Sequence, residues 1–212
     1  MNISVQTLYK HFIKNKENNQ TLLIGIDGCG GAGKSTLAES FKAVDPSKVT
    51  VIHMDDFYKP SMHRELIGET VIGGNWDCHR VKEQALLPLS KNMHTRYQRY
   101  DWDTDKLSEW HDVSAGGVVI MEGCYSLIED LRNYYDFTIW MDTPRDVRLS
   151  RGIERDGEEK RGLWEDLWMP AEKLYIKTQN PMENVDFVID GTGKKSNIKD
   201  LEIHIVRSSL FL

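Results

Sequence analysis

The chain has 212 residues, a formal net charge of −6 and a sequence pI near 5.7. This length suffices for one sizeable core, and no stretch rich in Pro, Gly or Ser divides it, so we expect one domain over residues 1–212. An acidic chain lacks the basic footprint of proteins that bind nucleic acid or an anionic membrane. We therefore predict that the protein binds neither nucleic acid nor a membrane.

The N-terminus and the cysteines bear on the compartment. Residues 1–5 lack the charged and then apolar design of a signal peptide, and no apolar run approaches the roughly 20 residues that span a bilayer. The three cysteines, Cys29, Cys78 and Cys124, are odd in number and lack metal-ligand spacing, so we predict reduced thiols. We expect a cytoplasmic protein. A homo-oligomer is compatible with the sequence, which does not determine the oligomeric state.

The predicted elements alternate between helices and short strands. An amphipathic N-terminal helix is indicated by apolar residues at helical spacing, namely Val5, Leu8, Tyr9, Phe12 and Ile13. Strands are predicted over 21–26, 48–53, 118–121, 137–141 and 185–190. Helices are predicted from 36 onward and over 79–89, 144–155 and 164–177. Residues 201–206 alternate like a strand, and residues 198–206 also fit a helix. This alternation predicts an α/β fold, a parallel sheet covered by helices on both faces, with ligands at the carboxyl ends of the strands.

One glycine-rich motif determines most of the functional prediction. Residues 28–35 read Gly-Cys-Gly-Gly-Ala-Gly-Lys-Ser and fit G-x-x-x-x-G-K-[ST], the phosphate-binding P-loop. The motif lies between a predicted strand and a predicted helix, which aims a helix N-terminus at an anion. A glycine-rich turn that matches by chance is the alternative. The predicted nucleotide-binding residues are Gly28, Gly30, Gly31, Ala32, Gly33, Lys34, Ser35 and Thr36.

Carboxylates at strand ends suit phosphoryl transfer from ATP with Mg²⁺. Lys34 is predicted to reach the β- and γ-phosphates, and Ser35 to ligate magnesium. Asp55-Asp56 follows the second strand, where at least one of the two carboxylates is expected beside the γ-phosphate, and Glu122 ends the third strand. We therefore predict Ser35, Glu122 and Asp55 as metal ligands. The alternatives are a polar cap for Asp55-Asp56 and plain turn chemistry for Glu122-Gly123.

A basic segment between residues 144 and 162 predicts a lid over residues 151–162. Such a segment would supply charge to the transferring group and exclude water. We predict catalytic roles for Arg151, Arg155 and Arg161. The alternative is a solvated helix face laced with ion pairs, and it stays open for Arg145 and Arg148.

Over residues 22–193 these motifs resemble the uridine kinase family of P-loop kinases. Asp55-Asp56-Phe57-Tyr58 is similar to the family motif whose first aspartate is the general base for the sugar 5′-hydroxyl, which implies that role for Asp55. Asn75-Trp76-Asp77 resembles the element whose aspartate holds the ribose diol, which implies Asp77. The Glu122-Gly123 and Tyr100-Asp101 pairs and the arginine-rich segment also resemble family elements.

The chain departs from the family pattern on the acceptor side. Uridine kinases carry a uracil-contacting histidine after the Tyr-Asp pair, and residues 102–106 contain none. Residues 55–60, Asp-Asp-Phe-Tyr-Lys-Pro, also resemble nicotinamide riboside kinases, as does Asp190-Gly191-Thr192. The predicted acceptor pocket is aromatic, with Tyr58, Trp76, Tyr100 and Trp102, although tryptophan in the core is the alternative.

We therefore expect an ATP-dependent kinase for a primary hydroxyl of a nucleoside-like small molecule, with uridine or cytidine as the leading acceptor. Nicotinamide riboside or another small metabolite is the alternative. A regulatory GTPase would need Asn-Lys-x-Asp, and residues 15–18, Asn-Lys-Glu-Asn, precede the P-loop and lack the aspartate. A nucleotide sensor that transfers no phosphate is a further alternative, and the complete catalytic motifs argue against it.

Overall fold

A computed structural model of the protein describes residues 1–14, 20–64, 71–193 and 201–210, so residues 15–18 of the GTPase comparison and residues 195–200 of the tail lie outside the described ranges. The strands are β1 (Asn2–Ser4), β2 (Leu22–Asp27), β3 (Val49–His53), β4 (Thr95–Asp101), β5 (Lys106–Val113), β6 (Val118–Glu122), β7 (Phe137–Asp142), β8 (Phe187–Asp190) and β9 (Glu202–Ser208). The α-helices are α1 (Val5–Lys14), α2 (Lys34–Val44), α3 (Cys78–Val81), α4 (Leu87–Ser90), α5 (Glu129–Arg132), α6 (Arg145–Asp156), α7 (Arg161–Leu163) and α8 (Met169–Gln179).

Shorter helical turns connect these elements. π-Helical segments join α3 to α4 over Lys82–Leu86 and α7 to α8 over Trp164–Trp168. A 3-10 helix, Met54–Phe57, follows β3 directly. No helix in the described part of the chain is long and apolar enough to cross a membrane.

Within the described part of the chain, the main sheet has seven strands in the order β1-β9-β8-β7-β2-β6-β3. Neighbouring strands from β8 to β3 pair in parallel, and β9 pairs antiparallel with both β8 and β1. This confirms the predicted parallel sheet flanked by helices. Glu122 lies opposite both Ile26 of β2 and His53 of β3. The segments that follow β2, β3 and β6 consequently leave the same sheet edge side by side.

Two hydrophobic clusters cover the two faces of this sheet. Alternation along β2 directs Ile24 toward the cluster that contains Phe12 and Phe41, and Leu23 toward the one that contains Leu86. Every residue of β2 is buried, which explains the uninterrupted apolar run from Leu22 to Ile26. Burial of each large apolar side chain contributes roughly 2 kcal/mol.

The N-terminal helix and the tail can be compared with their sequence predictions. Helix α1 buries Val5, Leu8, Tyr9 and Phe12, whereas Ile13 is exposed. The tail forms a strand, β9, because its alternating Ile203 and Ile205 pack into the core beside β8.

A second sheet, the β4–β5 hairpin, was missed in the sequence. Its buried residues Tyr97 and Tyr100 lie three positions apart because the register shifts between Gln98 and Tyr100, so strict alternation is lost. The Tyr97 ring stacks on Phe57 with centroids 5.1 Å apart, and its hydroxyl donates to Asp56 Oδ2 at 2.9 Å. The hairpin is thereby fixed beside the segment that follows β3.

Candidate functional site

The P-loop is shaped by backbone contacts at its centre. Gly31 has φ +76°, and a Cβ there would lie 2.6 Å from the Arg148 carbonyl oxygen. Glycine is therefore required both for the left-handed backbone and for the close approach of α6. The Lys34 side chain folds under the loop, where Nζ donates to the Cys29 carbonyl at 2.9 Å.

Helix α2 starts inside the motif, at a glycine that offers its first N–H groups no side-chain cap. It begins at Lys34, and its N-cap, Gly33, makes no side-chain capping bond. Uncapped N–H groups and the helix dipole make such a start a binding site for an anion. Burial disfavours the charged form of Lys34, but the surrounding acidic groups, Glu122 and Asp27 among them, hold its pKa above its usual value.

A set of oxygen atoms suited to Mg²⁺ lies beside the loop. Ser35 Oγ donates to Glu122 Oε1 at 3.0 Å, and His53 Nδ1 lies 2.6 Å from the same oxygen. The hydrogen bond to Glu122 raises the pKa of His53. Within the described ranges, no group of three or more His, Cys, Asp and Glu side chains is arranged to hold a metal. The arrangement fits magnesium, which takes one or two protein oxygens together with phosphate oxygens and water.

The two aspartates after β3 separate into different environments. Asp55 lines the same cavity as Lys34, Ser35 and Glu122. Desolvation raises the pKa of Asp55, and the nearby Glu122 carboxylate raises it further. The Asp55 side chain is nevertheless accessible from the cavity that it lines. Asp56 turns away and accepts from Tyr97. Only Asp55 is thus placed to act on a molecule in the cavity.

The cavity has a volume of about 870 Å³ and extends from the P-loop to the end of β8. Its wall includes P-loop and α2 residues Gly30, Gly31, Gly33, Lys34, Ser35 and Thr36, and residues 189–193 and 201–203 opposite them. Of the predicted nucleotide-binding residues, Gly28 and Ala32 are absent from the described cavity wall: the Gly28 N–H donates to Asp27 at 2.6 Å, and Ala32 is fully buried.

The basic segment reaches this cavity with two of its three predicted arginines. Arg151 and Arg155 line the wall. Arg151 Nη1 donates to the Gly191 carbonyl at 2.7 Å and to the Gly31 carbonyl at 3.3 Å. Arg161 is absent from the lining among the described residues and pairs with Glu158 at the surface.

The two arginines left open by the sequence differ in burial. Arg145 is exposed, as in the solvated-face alternative, with Glu165 3.8 Å away. Arg148 is buried and its Nη1 donates to Glu172 at 2.8 Å, so the solvated-face interpretation is wrong for this residue.

The four aromatic residues of the predicted acceptor pocket come together. The Tyr58 ring lies 4.9 Å from Trp76, 5.8 Å from Tyr100 and 4.6 Å from Trp102, centroid to centroid. A backbone bridge between residues 58 and 76 holds two of the segments. Trp102 is 53% exposed and Tyr100 is buried, so the cluster has a closed base and an open rim.

Polar groups border this cluster. Asp77 is the N-cap of α3, accepts from the Arg80 N–H at 3.0 Å and pairs with the Arg80 guanidinium at 3.2 Å. Asn75 Oδ1 and Trp76 Nε1 are buried with no hydrogen-bond partner among the described residues. Such groups are costly unless a ligand or water satisfies them.

Sequence analysis missed some residues of the site. His53 contacts Glu122, and its position at the end of a parallel strand was an available signal. Glu172 bonds the P-loop from α8, 142 residues away, and no local pattern marks it.

The three cysteines are free thiols. Burial raises the pKa of Cys29 and Cys124, the latter to about 12.

Comparisons with known proteins place this geometry in context. Residues 23–169 match the model of the family described as Phosphoribulokinase / Uridine kinase family. The chain is 35% identical to the uridine kinase of Clostridium novyi (strain NT) over 66% of this chain and 70% of that protein. It is 27% identical to the uridine kinase of Aliivibrio salmonicida (strain LFI1238) over 90% and 96%, respectively. The fold is similar to that of a possible uridine kinase from Bacillus stearothermophilus, with a TM-score of 0.66 at 24% identity over 87% of this chain and 96% of that one.

Proposed function

The chain belongs to the phosphoribulokinase / uridine kinase family, and we propose that it transfers the γ-phosphoryl group of ATP, with Mg²⁺, to the 5′-hydroxyl of uridine or cytidine. The observation that carries the proposal is one cavity that combines Lys34, Ser35, Glu122 and Asp55. An aromatic cluster lies next to it through Tyr58, three residues after Asp55. We treat residues 1–212 as one kinase domain with a lid over 151–162.

On the donor side, the P-loop amides and Lys34 hold the phosphate chain. Ser35 and Glu122, with Asp55 nearby, would hold Mg²⁺, which when bound neutralises charge on the phosphate oxygens. Arg151 and Arg155 supply further positive charge from the cavity wall. Arg161 would join them only if the lid closes further.

On the acceptor side, Asp55 accepts the proton of the attacking hydroxyl. A raised pKa suits that task, because a base with a higher pKa holds the proton better once it has accepted it. The rings of Tyr58, Trp76 and Tyr100 contact the flat base, and the exposed ring of Trp102 stacks on it from the rim. Asp77, whose carboxylate already accepts from Arg80, binds the ribose diol.

A second candidate acceptor is nicotinamide riboside, whose ring is cationic. The Arg64 guanidinium lies 4.6 Å from the Tyr58 ring and 5.6 Å from the Tyr100 ring. The two rings thus already contact one cation, and aromatic faces attract cations. This contact favours an acceptor with a cationic ring. Asp105 is the nearby carboxylate that could attract a cationic ring. Its oxygens already accept hydrogen bonds from Ser61, Tyr100 and Arg64, so its contribution to binding such a ring is small.

The experiment is an ADP-release screen over uridine, cytidine, nicotinamide riboside, pantothenate and simple sugars, with Mg²⁺ and ATP. Lys34→Ala is the control that assigns the signal to this site, because it removes the ammonium group from the P-loop. We expect acceptor-dependent ADP release with uridine or cytidine. Release with nicotinamide riboside alone would replace the proposed acceptor, and release independent of every acceptor would reject the kinase assignment.

A further inference from the structure

A carboxylate from α8 is bonded directly to the P-loop. Glu172 Oε1 accepts from the Gly30 N–H at 2.5 Å, and Glu172 Oε2 accepts from Arg148 Nη1 at 2.8 Å. Both side chains are buried, with 7% of Glu172 and 11% of Arg148 exposed. Arg148 is also tied to its own helix start, where Nε donates to the Thr143 carbonyl at 3.1 Å.

A tryptophan packs against the same glycine. A Cβ on Gly30 would lie 2.9 Å from the Trp164 ring, and a Cβ on Gly152 of α6 would lie 2.4 Å from it. Both glycines are therefore needed for the ring to fit between the P-loop and α6. Trp164 Nε1 donates to Asp156 at 3.0 Å, and Asp156 pairs with Arg155 on the cavity wall. The lid is thus packed on the loop by a continuous series of contacts.

The charges in this arrangement need explanation. A carboxylate next to a loop that binds phosphate repels the ligand unless a cation neutralises it, and Arg148 does so. A buried ion pair by itself is weak evidence of stabilisation, because desolvation costs offset much of the attraction. What an apolar pair cannot supply here is an acceptor for the Gly30 N–H.

We propose that Glu172 is a positioning residue for nucleotide binding. Its carboxylate fixes the Gly30 amide, and hence the P-loop, while Arg148 compensates its charge and ties α6 to α8. Nucleotide affinity then depends on the hydrogen-bond acceptor presented to the Gly30 N–H, and not on the ion pair as such. The inference rests on the P-loop as the nucleotide site and is independent of which acceptor is phosphorylated.

Two double variants separate the effect of the hydrogen-bond acceptor for Gly30 from the effect of the ion pair. R148M/E172Q removes both charges and keeps an amide oxygen for the Gly30 N–H. R148E/E172R keeps an ion pair but presents a donor to that N–H. The control is Glu165→Gln, because the ion pairs of Glu165 with described residues are long, 3.8 Å to Arg145 and 3.9 Å to Arg161.

The measurement is the Kd of Mg·ADP by calorimetry, without any acceptor, together with Tm for each variant. We expect R148M/E172Q to bind within about 3-fold of the wild type and R148E/E172R to bind about 10-fold more weakly, the effect of one lost charge-assisted hydrogen bond. Equal affinities of the two double variants, or the reverse order, would overturn the proposal. A failed acceptor screen leaves this outcome unaffected, because no acceptor is present.

Hydrogen exchange of the wild type gives a second test that needs no variant. The Gly30 amide should be protected in the free protein, since Glu172 already accepts from it, whereas amides at the start of α2 should gain protection only when Mg·ADP is added. Fast exchange at Gly30 in the free protein would contradict the bond.

Discussion

The proposed phosphate-donor and acceptor sides of the site are built in different ways. The proposed donor side is one continuous segment, residues 28–36, and we expect it to bind phosphate mainly through backbone N–H groups and Lys34. The acceptor side is assembled from side chains at residues 58, 76, 100 and 102, which lie on separate segments. One side is thus determined by local chain geometry, and the other by tertiary packing.

This contrast places substrate specificity on the acceptor side. A phosphate chain presents the same atoms in every reaction, so a fixed backbone cradle serves it. Acceptors differ in ring, charge and hydroxyl position, and side chains on loops and a hairpin can vary without disturbing the sheet. The following predictions test this contrast, from the largest effect to the smallest.

Asp55→Asn tests the point where the two sides meet. We expect kcat to fall by about 100-fold or more, the scale for loss of a general base. The Kd of Mg·ADP should change little, because Lys34 and the loop amides remain. Steady-state kinetics and calorimetry measure the two quantities.

The neighbouring aspartate is the matched control for Asp55→Asn. Asp56→Asn keeps an oxygen for the Tyr97 hydroxyl and lies off the cavity wall, so kcat should be nearly unchanged. Equal losses in the two variants would show that Asp55 has no special role.

Asp27 tests how rigidly the donor side is held. It accepts from the N–H groups of Gly28, Tyr125 and Leu127 and from the Tyr175 hydroxyl, and burial raises its pKa to about 6. The unfolded chain has the usual value near 4. The stabilisation from the protonated folded form is therefore fully present below about pH 4 and is lost as pH rises through about 6.

The free energy of unfolding should therefore drop more for the wild type than for Asp27→Asn between pH 5 and 7.5, by on the order of 1 kcal/mol. Urea unfolding at both pH values measures it, and any constant offset from the substitution cancels. A pH-independent difference would show that Asp27 does not titrate in this range.

Trp102→Ala tests the open rim of the aromatic cluster. We expect KM for the acceptor to rise about 5-fold, since one stacking contact is worth on the order of 1 kcal/mol, while the Kd of Mg·ADP stays constant. Trp110→Ala is the control, because Trp110 is exposed on the same hairpin and contacts Arg96. If both variants raise KM alike, the hairpin acts through its overall stability.

Tyr97→Phe has the smallest expected effect on activity. Loss of its hydrogen bond to Asp56 should lower the free energy of unfolding by about 1 kcal/mol, with kcat unchanged. Thermal unfolding and kinetics of the same preparation measure both. A large loss of kcat would indicate that the hairpin anchor positions Asp55.

Much of the sheet could be predicted because its signals are local. Strands β2, β3, β6, β7 and β8 are short apolar runs, and their carboxyl ends mark Asp55 and Glu122 as candidates. The hairpin could not be predicted, because a register shift breaks the alternation of Tyr97 and Tyr100. Strand β9 was ambiguous until its pairing with β8 was known, since a short alternating run fits two periods.

The P-loop motif, strands β2, β3, β6, β7 and β8, and the residues at the strand ends could be recognised in the sequence, because each depends on neighbours within a few positions. The three-dimensional packing was needed to show that Asp56 turns away from the cavity, which arginines reach it, and that Glu172 bonds Gly30. Those facts depend on segments as much as 142 residues apart, and the packing of the sheet and its helices brings them together.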